Sequence, residues 1–161
     1  MSSSLPIGIS LWDFSLHHYA RPGVSDCCLA LQDEHGANVN LIFWALWLGY
    51  RNQYLDVQLL ARARAAIGEW DRNYVVPLRQ LRRRMKAEFG TDNESVETLR
   101  KQIKEAELLA EKYMQELLEG VAGNSESEKN TREIMQHNLD IYLQSLGITE
   151  AAAKHLLKLI E

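Results

Sequence analysis

The segment from Val39 to Gly49 constrains the fold more than any other part of the chain, because every side chain in it except Asn40 is apolar or glycine. Asn38 just ahead of it is a favoured helix N-cap. A helix that is apolar on all sides has no face to offer water, so it belongs in the centre of a domain or beneath a partner. It is also well short of the roughly 20 residues that a membrane span requires. The remaining helices are therefore expected to be amphipathic and to surround this one.

With 161 residues and 46% hydrophobic content, the chain can bury one ordinary core, so residues 1–161 read as a single domain. Apolar spacing of three and four dominates, and no Asn-Gly hairpin signal separates alternating runs. The fold class is all-α, a helical bundle of about seven helices. Ser10-Leu11-Trp12-Asp13 has the form of a capping box and opens a first helix through about Ala20. Pro22-Gly23 breaks the chain, and a second helix runs from Val24 to His35 with Val24, Cys27, Cys28 and Leu31 inward and Gly36 as its stop. The third helix continues from Val39 to about Arg51.

The fourth helix is long, from near Leu55 to Phe89. Leu60, Ala63, Ile67, Trp70, Tyr74, Leu78, Leu81 and Met85 share one face, and Arg72, Arg79, Arg83 and Lys86 share the opposite one. Pro77 lacks an N–H and crowds the preceding turn, which predicts a kink or break near Asn73 to Val76. Thr91-Asp92-Asn93-Glu94 signals a fifth helix, on which Val96, Leu99, Ile103, Ala106, Ala110, Tyr113 and Leu117 form a heptad stripe. That stripe packs on another helix of this chain or on a second copy, and the fourth and fifth helices are expected to form a long antiparallel pair. Residues 120–129 read as a flexible linker, after which Ser125-Glu126-Ser127-Glu128 restarts a helix carrying Met135, Leu139, Tyr142, Leu143 and Leu146. Gly147 ends it, and Thr149 caps a last short helix.

Charge is divided unevenly along the chain. Residues 51–86 carry nine basic side chains against three acidic ones, whereas the rest carries nine against nineteen. Such a surface suits an acidic partner, a phosphate-bearing ligand or self-association. The basic stripe Arg72, Arg79, Arg82, Arg83 and Lys86 is the candidate site for an anionic partner, since arginine forks grip carboxylate and phosphate in two-pronged geometry. No aromatic residue interleaves it and no nucleic-acid-binding motif accompanies it. The competing reading is local: Glu97, Glu105, Glu107 and Glu111 of the fifth helix could answer these arginines as a surface ion-pair network of little energetic consequence.

Other polar groups are fewer. His17, His18, Asp33, Glu34 and His35 form the one cluster suited to metal binding or acid–base work, and a Pro-Gly turn could bring His18 near Asp33 or His35. Their spacing matches no HExxH or paired ExxH pattern, so a solvated helix end is the blander reading. Gln32, Asp33, His35, Asn38 and Asn40 flank the turn before the apolar helix. They either satisfy backbone groups at two helix ends or contact a ligand, with Asn40 the candidate buried contact. Trp44 and Trp47 read as core, and if exposed would be anchors for another protein. Cys27 and Cys28 are adjacent, a geometry unsuited to a disulfide, so both are expected as reduced thiols in a cytoplasmic protein. The N-terminus lacks the basic segment and apolar run of a secretory signal.

Trp12-Asp13-Phe14-Ser15-Leu16, Tyr19-Ala20-Arg21-Pro22-Gly23-Val24, Cys28-Leu29-Ala30-Leu31-Gln32-Asp33, His35-Gly36 and Val39-Asn40-Leu41 resemble a family of short bacterial proteins of unknown function, found mainly in gammaproteobacteria. Trp70 and Pro77-Leu78-Arg79-Gln80-Leu81-Arg82 are similar to its second block, and the segment after Phe89 carries no resemblance. The resemblance implies a small cytoplasmic helical protein and brings no activity, cofactor or catalytic residue. The functional expectation is a non-enzymatic interaction module with no cofactor and no membrane association, binding another protein or a second copy through an apolar groove or the basic face. One alternative is a binder of nucleic acid or another polyanion through the basic stripe. Another is a small metal-dependent enzyme built on the His/Asp/Glu cluster.

Overall fold

The structure is a computed structural model that describes residues 4–121, 124–125 and 130–161. Its helices are α1 (Leu11–Tyr19), α2 (Val24–His35), α3 (Val39–Tyr50), α4 (Val57–Trp70), α5 (Val76–Phe89), α6 (Glu94–Glu119), α7 (Thr131–Gln144) and α8 (Glu150–Ile160). A π-helical turn, Asp71–Val75, joins α4 to α5 without a break, so the eight segments form seven rods and an all-α fold. Among the described residues, no helix is long and apolar enough to cross a membrane.

α3 is the centre. Its residues Asn40 to Gly49 are all buried, including Trp44 at 0% exposure and Trp47 at 4%. α7 lies along it, α1 and α6 cover other sides, and α8 packs on α7 and α2. The α3–α7 crossing is close because Gly49 has no side chain: a Cβ there would lie 2.6 Å from Met135 Cα.

Caps fix where the helices begin. Ser10 accepts from Asp13 N–H at 3.1 Å, and the carboxylate of Glu119 accepts from Leu11 N–H at 2.6 Å across the domain, a favourable charge at a helix N-terminus. Asn38 caps α3, Asp56 caps α4 and Asn93 caps α6. Gly36 closes α2 in the left-handed conformation, at φ 70°. Thr149 stands at the N-cap of α8 without a side-chain capping bond. The capping box expected at Ser125 to Glu128 does not start α7; that helix begins at Thr131, where Asn130 accepts from Glu133 N–H at 2.9 Å. Most of the expected linker, residues 122–123 and 126–129, lies outside the described residues. Asn124–Ser125 pairs antiparallel with Gln53–Tyr54, a two-residue ladder that apolar periodicity gives no means of anticipating.

Asn138 of α7, wholly buried, holds this corner together. Its Oδ1 accepts from Leu55 N–H at 2.8 Å, and its Nδ2 donates to Ala45 O at 3.1 Å and Gln53 O at 2.7 Å. It thereby ties Gln53 and Leu55 of the α3–α4 connection to the Ala45 carbonyl inside α3.

The π turn sits where Pro77 predicts a disturbance. Val76 N–H reaches back to Asp71 O, a five-residue step that inserts one extra residue into the helix. The apolar phase consequently does not carry straight through. Leu60, Ala63 and Ile67 are buried before the turn, but after it Val75 is buried while Tyr74 is 53% exposed. Leu78, Leu81 and Met85 are half-buried, and no side chain of α5 is fully buried.

Candidate functional site

The same rotation brings two cations inward. A stripe in unbroken α phase would put Arg79 opposite the apolar face, but the extra residue places Arg79 and Arg82 against α6, which returns antiparallel to α5 after Gly90. Arg79 Nε donates to Glu107 Oε1 at 3.2 Å and its Nη2 to Glu111 Oε1 at 2.9 Å. Arg82 grips Glu107 with both prongs, Nε to Oε2 at 2.6 Å and Nη2 to Oε1 at 3.2 Å. Glu107 is only 5% exposed, so this network is not at the surface as the local reading supposed. Its hydrogen bond to Glu107 raises the Arg82 pKa further, and burial raises that of Glu111, with the Arg79 charge opposing. Of the other two carboxylates expected to answer the stripe, Glu97 pairs with Arg100 on its own helix, and Glu105 makes no ion pair among the described residues.

These four side chains form one wall of a pocket of about 370 Å³. α1 contributes Trp12, Ser15, Leu16 and Tyr19; α2 contributes Leu29 and Gln32; the start of α3 contributes Val39, Asn40 and Phe43; and α6 adds Lys104, Leu108 and Gln115. Its floor is a chain of amides. Gln115 Nε2 donates to Asn40 Oδ1 at 2.9 Å and to Ser15 Oγ at 3.1 Å, while Ser15 Oγ donates to Leu11 O at 2.7 Å. The buried amide of Asn40 therefore finds its partner on a side chain of α6. Its Nδ2 makes no hydrogen bond with the described residues, which leaves a donor at the pocket wall.

The mouth is apolar. Leu16, Leu29 and Leu108, on three different helices, are 52%, 38% and 43% exposed around it. Between them stand Arg83, which pairs with Asp33 at 3.3 Å on the surface, and Lys104, which has no ion-pair partner among the described residues. A lining of aromatic and aliphatic side chains with a few convergent polar groups, at this volume, is the usual composition of a binding cleft.

The sequence candidates are thus separated. Arg79, Arg82, Arg83, Gln32 and Asn40 line one pocket, and Asp33 braces its rim. Arg72 and Lys86 are exposed elsewhere on the rod. Asn38 is a cap: it accepts from Asn40 N–H at 2.9 Å and its own N–H donates to Tyr142 Oη at 2.7 Å. His35 is exposed beside Glu34. His18 does not meet Asp33 or His35; its ring packs edge-on against Phe14 with centroids 4.4 Å apart and its Nδ1 is buried without a partner. Burial, with the nearby His17 and Arg21 charges, lowers its pKa to about 4, so it is neutral. Among the described residues, no three His, Cys, Asp or Glu side chains converge to hold a metal ion. Sequence reading missed the mouth residues Leu16, Leu29, Leu108 and Lys104, whose one visible signal is that each falls off the apolar stripe of its own helix.

A family described as "protein of unknown function (DUF2390)" matches residues 10–118, and the chain belongs to it. The match extends past Phe89, where the sequence resemblance ended, through nearly all of α6, and so includes every residue of the pocket. No curated protein matches the chain, and no solved structure matches it.

Proposed function

For this member of a family without an assigned activity, we propose a non-enzymatic protein-interaction module whose α1–α2–α5–α6 pocket takes up a segment of another protein that pairs an apolar side chain with a carboxylate. The observation that carries this reading is the ring of exposed leucines, Leu16, Leu29 and Leu108, around an opening whose interior is polar and whose mouth carries Lys104. Leucines from three helices converge on one spot, and exposed apolar groups gathered around a cleft mark a binding surface rather than scattered surface leucines. Charge sets the partner's chemistry. Arg79 and Arg82 are balanced by Glu107 and Glu111, and Arg83 by Asp33, which leaves Lys104 as the uncompensated charge at the mouth. An incoming carboxylate meets Lys104 first and shares Arg83.

The polyanion reading is weaker for the same reason. Its central arginines are already held by carboxylates, and a phosphate would have to displace a bidentate pair. The two free cysteines support a cytoplasmic setting.

The test is to pan the purified chain against a random peptide display library. Enrichment of segments joining a large apolar residue to Asp or Glu, lost in a Leu16→Asp/Leu108→Asp variant and reduced in Lys104→Glu, is the expected result. No enrichment, or enrichment indifferent to all three substitutions, overturns the reading.

A further inference from the structure

We infer that a second copy of this chain docks on the side of the α5–α6 hairpin opposite the pocket, forming a two-fold symmetric four-helix seam. The heptad stripe of α6 is only partly used within one chain. Val96, Ile103, Ala110 and Leu117 are at least partly buried and Tyr113, 44% exposed, packs edge-on against Trp70 with ring centroids 4.7 Å apart, whereas Leu99 is 51% exposed and Ala106 lies open. Leu109, 69% exposed, joins that open face. On an α-helix Leu109 lies roughly 140–160° around the axis from Lys104, Glu107 and Glu111, so the centre of this face is separate from the pocket. α5 repeats the pattern: Leu78 still packs against the core, but Leu81 and Met85 further along the stripe are only half-covered. One side of α6 packs on α1, α3 and α4, and among the described residues no helix covers Leu99, Ala106 and Leu109 on the other.

The charges at the border of that face point to a second copy as the occupant. Glu105 and Lys112 are exposed, seven residues apart on the same edge of α6, and neither has an ion-pair partner among the described residues. When two α6 helices cross antiparallel about a two-fold axis between residues 108 and 109, Glu105 of each copy faces Lys112 of the other. The same operation sets the two Leu109 side chains together at the centre. One contact thus generates two opposite-charge pairs and an apolar centre, as an isologous interface requires. Lone like charges at that edge would have argued for a foreign partner.

Sedimentation velocity of the full chain is the experiment. A dimer is expected at about 10 µM, a concentration at which a micromolar interface is largely occupied. Leu109→Glu should give a monomer with unchanged far-UV circular dichroism. Glu105→Lys alone and Lys112→Glu alone should each raise the dimer dissociation constant by about three- to tenfold, because each sets two symmetric pairs of like sign against each other. Both reversals together restore the opposed signs and should return it close to wild type. A monomer at every concentration up to about 100 µM overturns the inference. So does a dimer that survives Leu109→Glu, or one in which the double reversal gives no rescue. Peptide binding in the pocket is read separately and stands or falls without it.

Discussion

Gly49→Ala sets two physical effects against each other and asks which wins. The residue lies inside α3 with helical backbone, so alanine should gain about 1 kcal/mol of helix propensity. Its Cβ, however, would lie 2.6 Å from Met135 Cα, 2.7 Å from Met135 N and 2.9 Å from Met135 Cγ. Two of these atoms are backbone and cannot rotate away. Restoring ordinary carbon contact near 3.5 Å means moving α7 by roughly 1 Å. That helix contributes Ile134, Leu139, Tyr142 and Leu143 to the buried interior, so the shift opens gaps elsewhere. Overpacking of this kind costs about 3 kcal/mol, at the upper end for one methyl because main chain must yield, which leaves a net loss of about 2 kcal/mol. For a domain of this size that lowers Tm by roughly 4–8 °C. Gly68→Ala in α4 is the control, since its Cβ would meet only the Arg72 guanidinium at an ordinary 3.6 Å, and it should be neutral or stabilising by up to about 1 kcal/mol. Thermal and urea unfolding followed by circular dichroism measure both. A Gly49→Ala protein that unfolds at or above the wild-type midpoint refutes the claim that α3 and α7 meet backbone to backbone.

Asn138→Ala removes both ends of a buried amide, strands Leu55 N–H and takes a donor from Gln53 O and Ala45 O, so urea unfolding should show a loss of about 3 kcal/mol; a loss below 1 kcal/mol would mean that those groups find other partners. His18 couples stability to pH. Its folded pKa, about 4, lies below the unfolded 6.5, so the unfolded chain binds the extra proton between those values, and stability complete above pH 6.5 falls as pH drops towards 4. The loss reaches about 3 kcal/mol at most, and His18→Phe should flatten that part of the profile; an unchanged slope in the variant assigns it elsewhere. Cys28 is wholly buried and its thiol is pushed up to about 12, first by burial and then by Cys27. Native protein near neutral pH should therefore be alkylated at the half-buried Cys27, with Cys28 modified only on unfolding, as mass spectrometry of digested samples would show; equal rates in the native state contradict the packing of α2.

Much of this architecture was legible because local signals agreed with the global fold. The caps at Ser10, Asn38 and Asn93, the Gly36 stop and the unbroken apolarity of Leu41 to Leu48 each specify the same elements from their own physics. Pro77 even marked where the long rod would be disturbed. What could not be read was the kind of disturbance. A π turn adds one residue and keeps the helix running, so a periodicity count continues smoothly through it while the face it describes turns away. That single residue exchanges Tyr74 for Val75 in the interior and turns Arg79 from a solvent-facing charge into part of a pocket wall beside Arg82. The rest of the pocket is tertiary. Leu16, Leu29 and Leu108 are far apart in sequence, and on each helix a single exposed leucine is unremarkable until the three meet. Asn130 and the Gln53–Tyr54 ladder were hidden for a similar reason: the stronger-looking Ser125 to Glu128 capping signal stood nearby.

Whether the α1–α2–α5–α6 pocket takes up an apolar–acidic segment is read by hydrogen exchange of the chain with and without the best-enriched one. Slowed exchange is expected only in the pocket-facing stretches of α1, α2, α5 and α6, around Leu16, Leu29, Arg82 and Leu108, with no such change in Leu16→Asp/Leu108→Asp. Protection that falls instead on α7 and α8, or on the Leu99 to Tyr113 face alone, would contradict it.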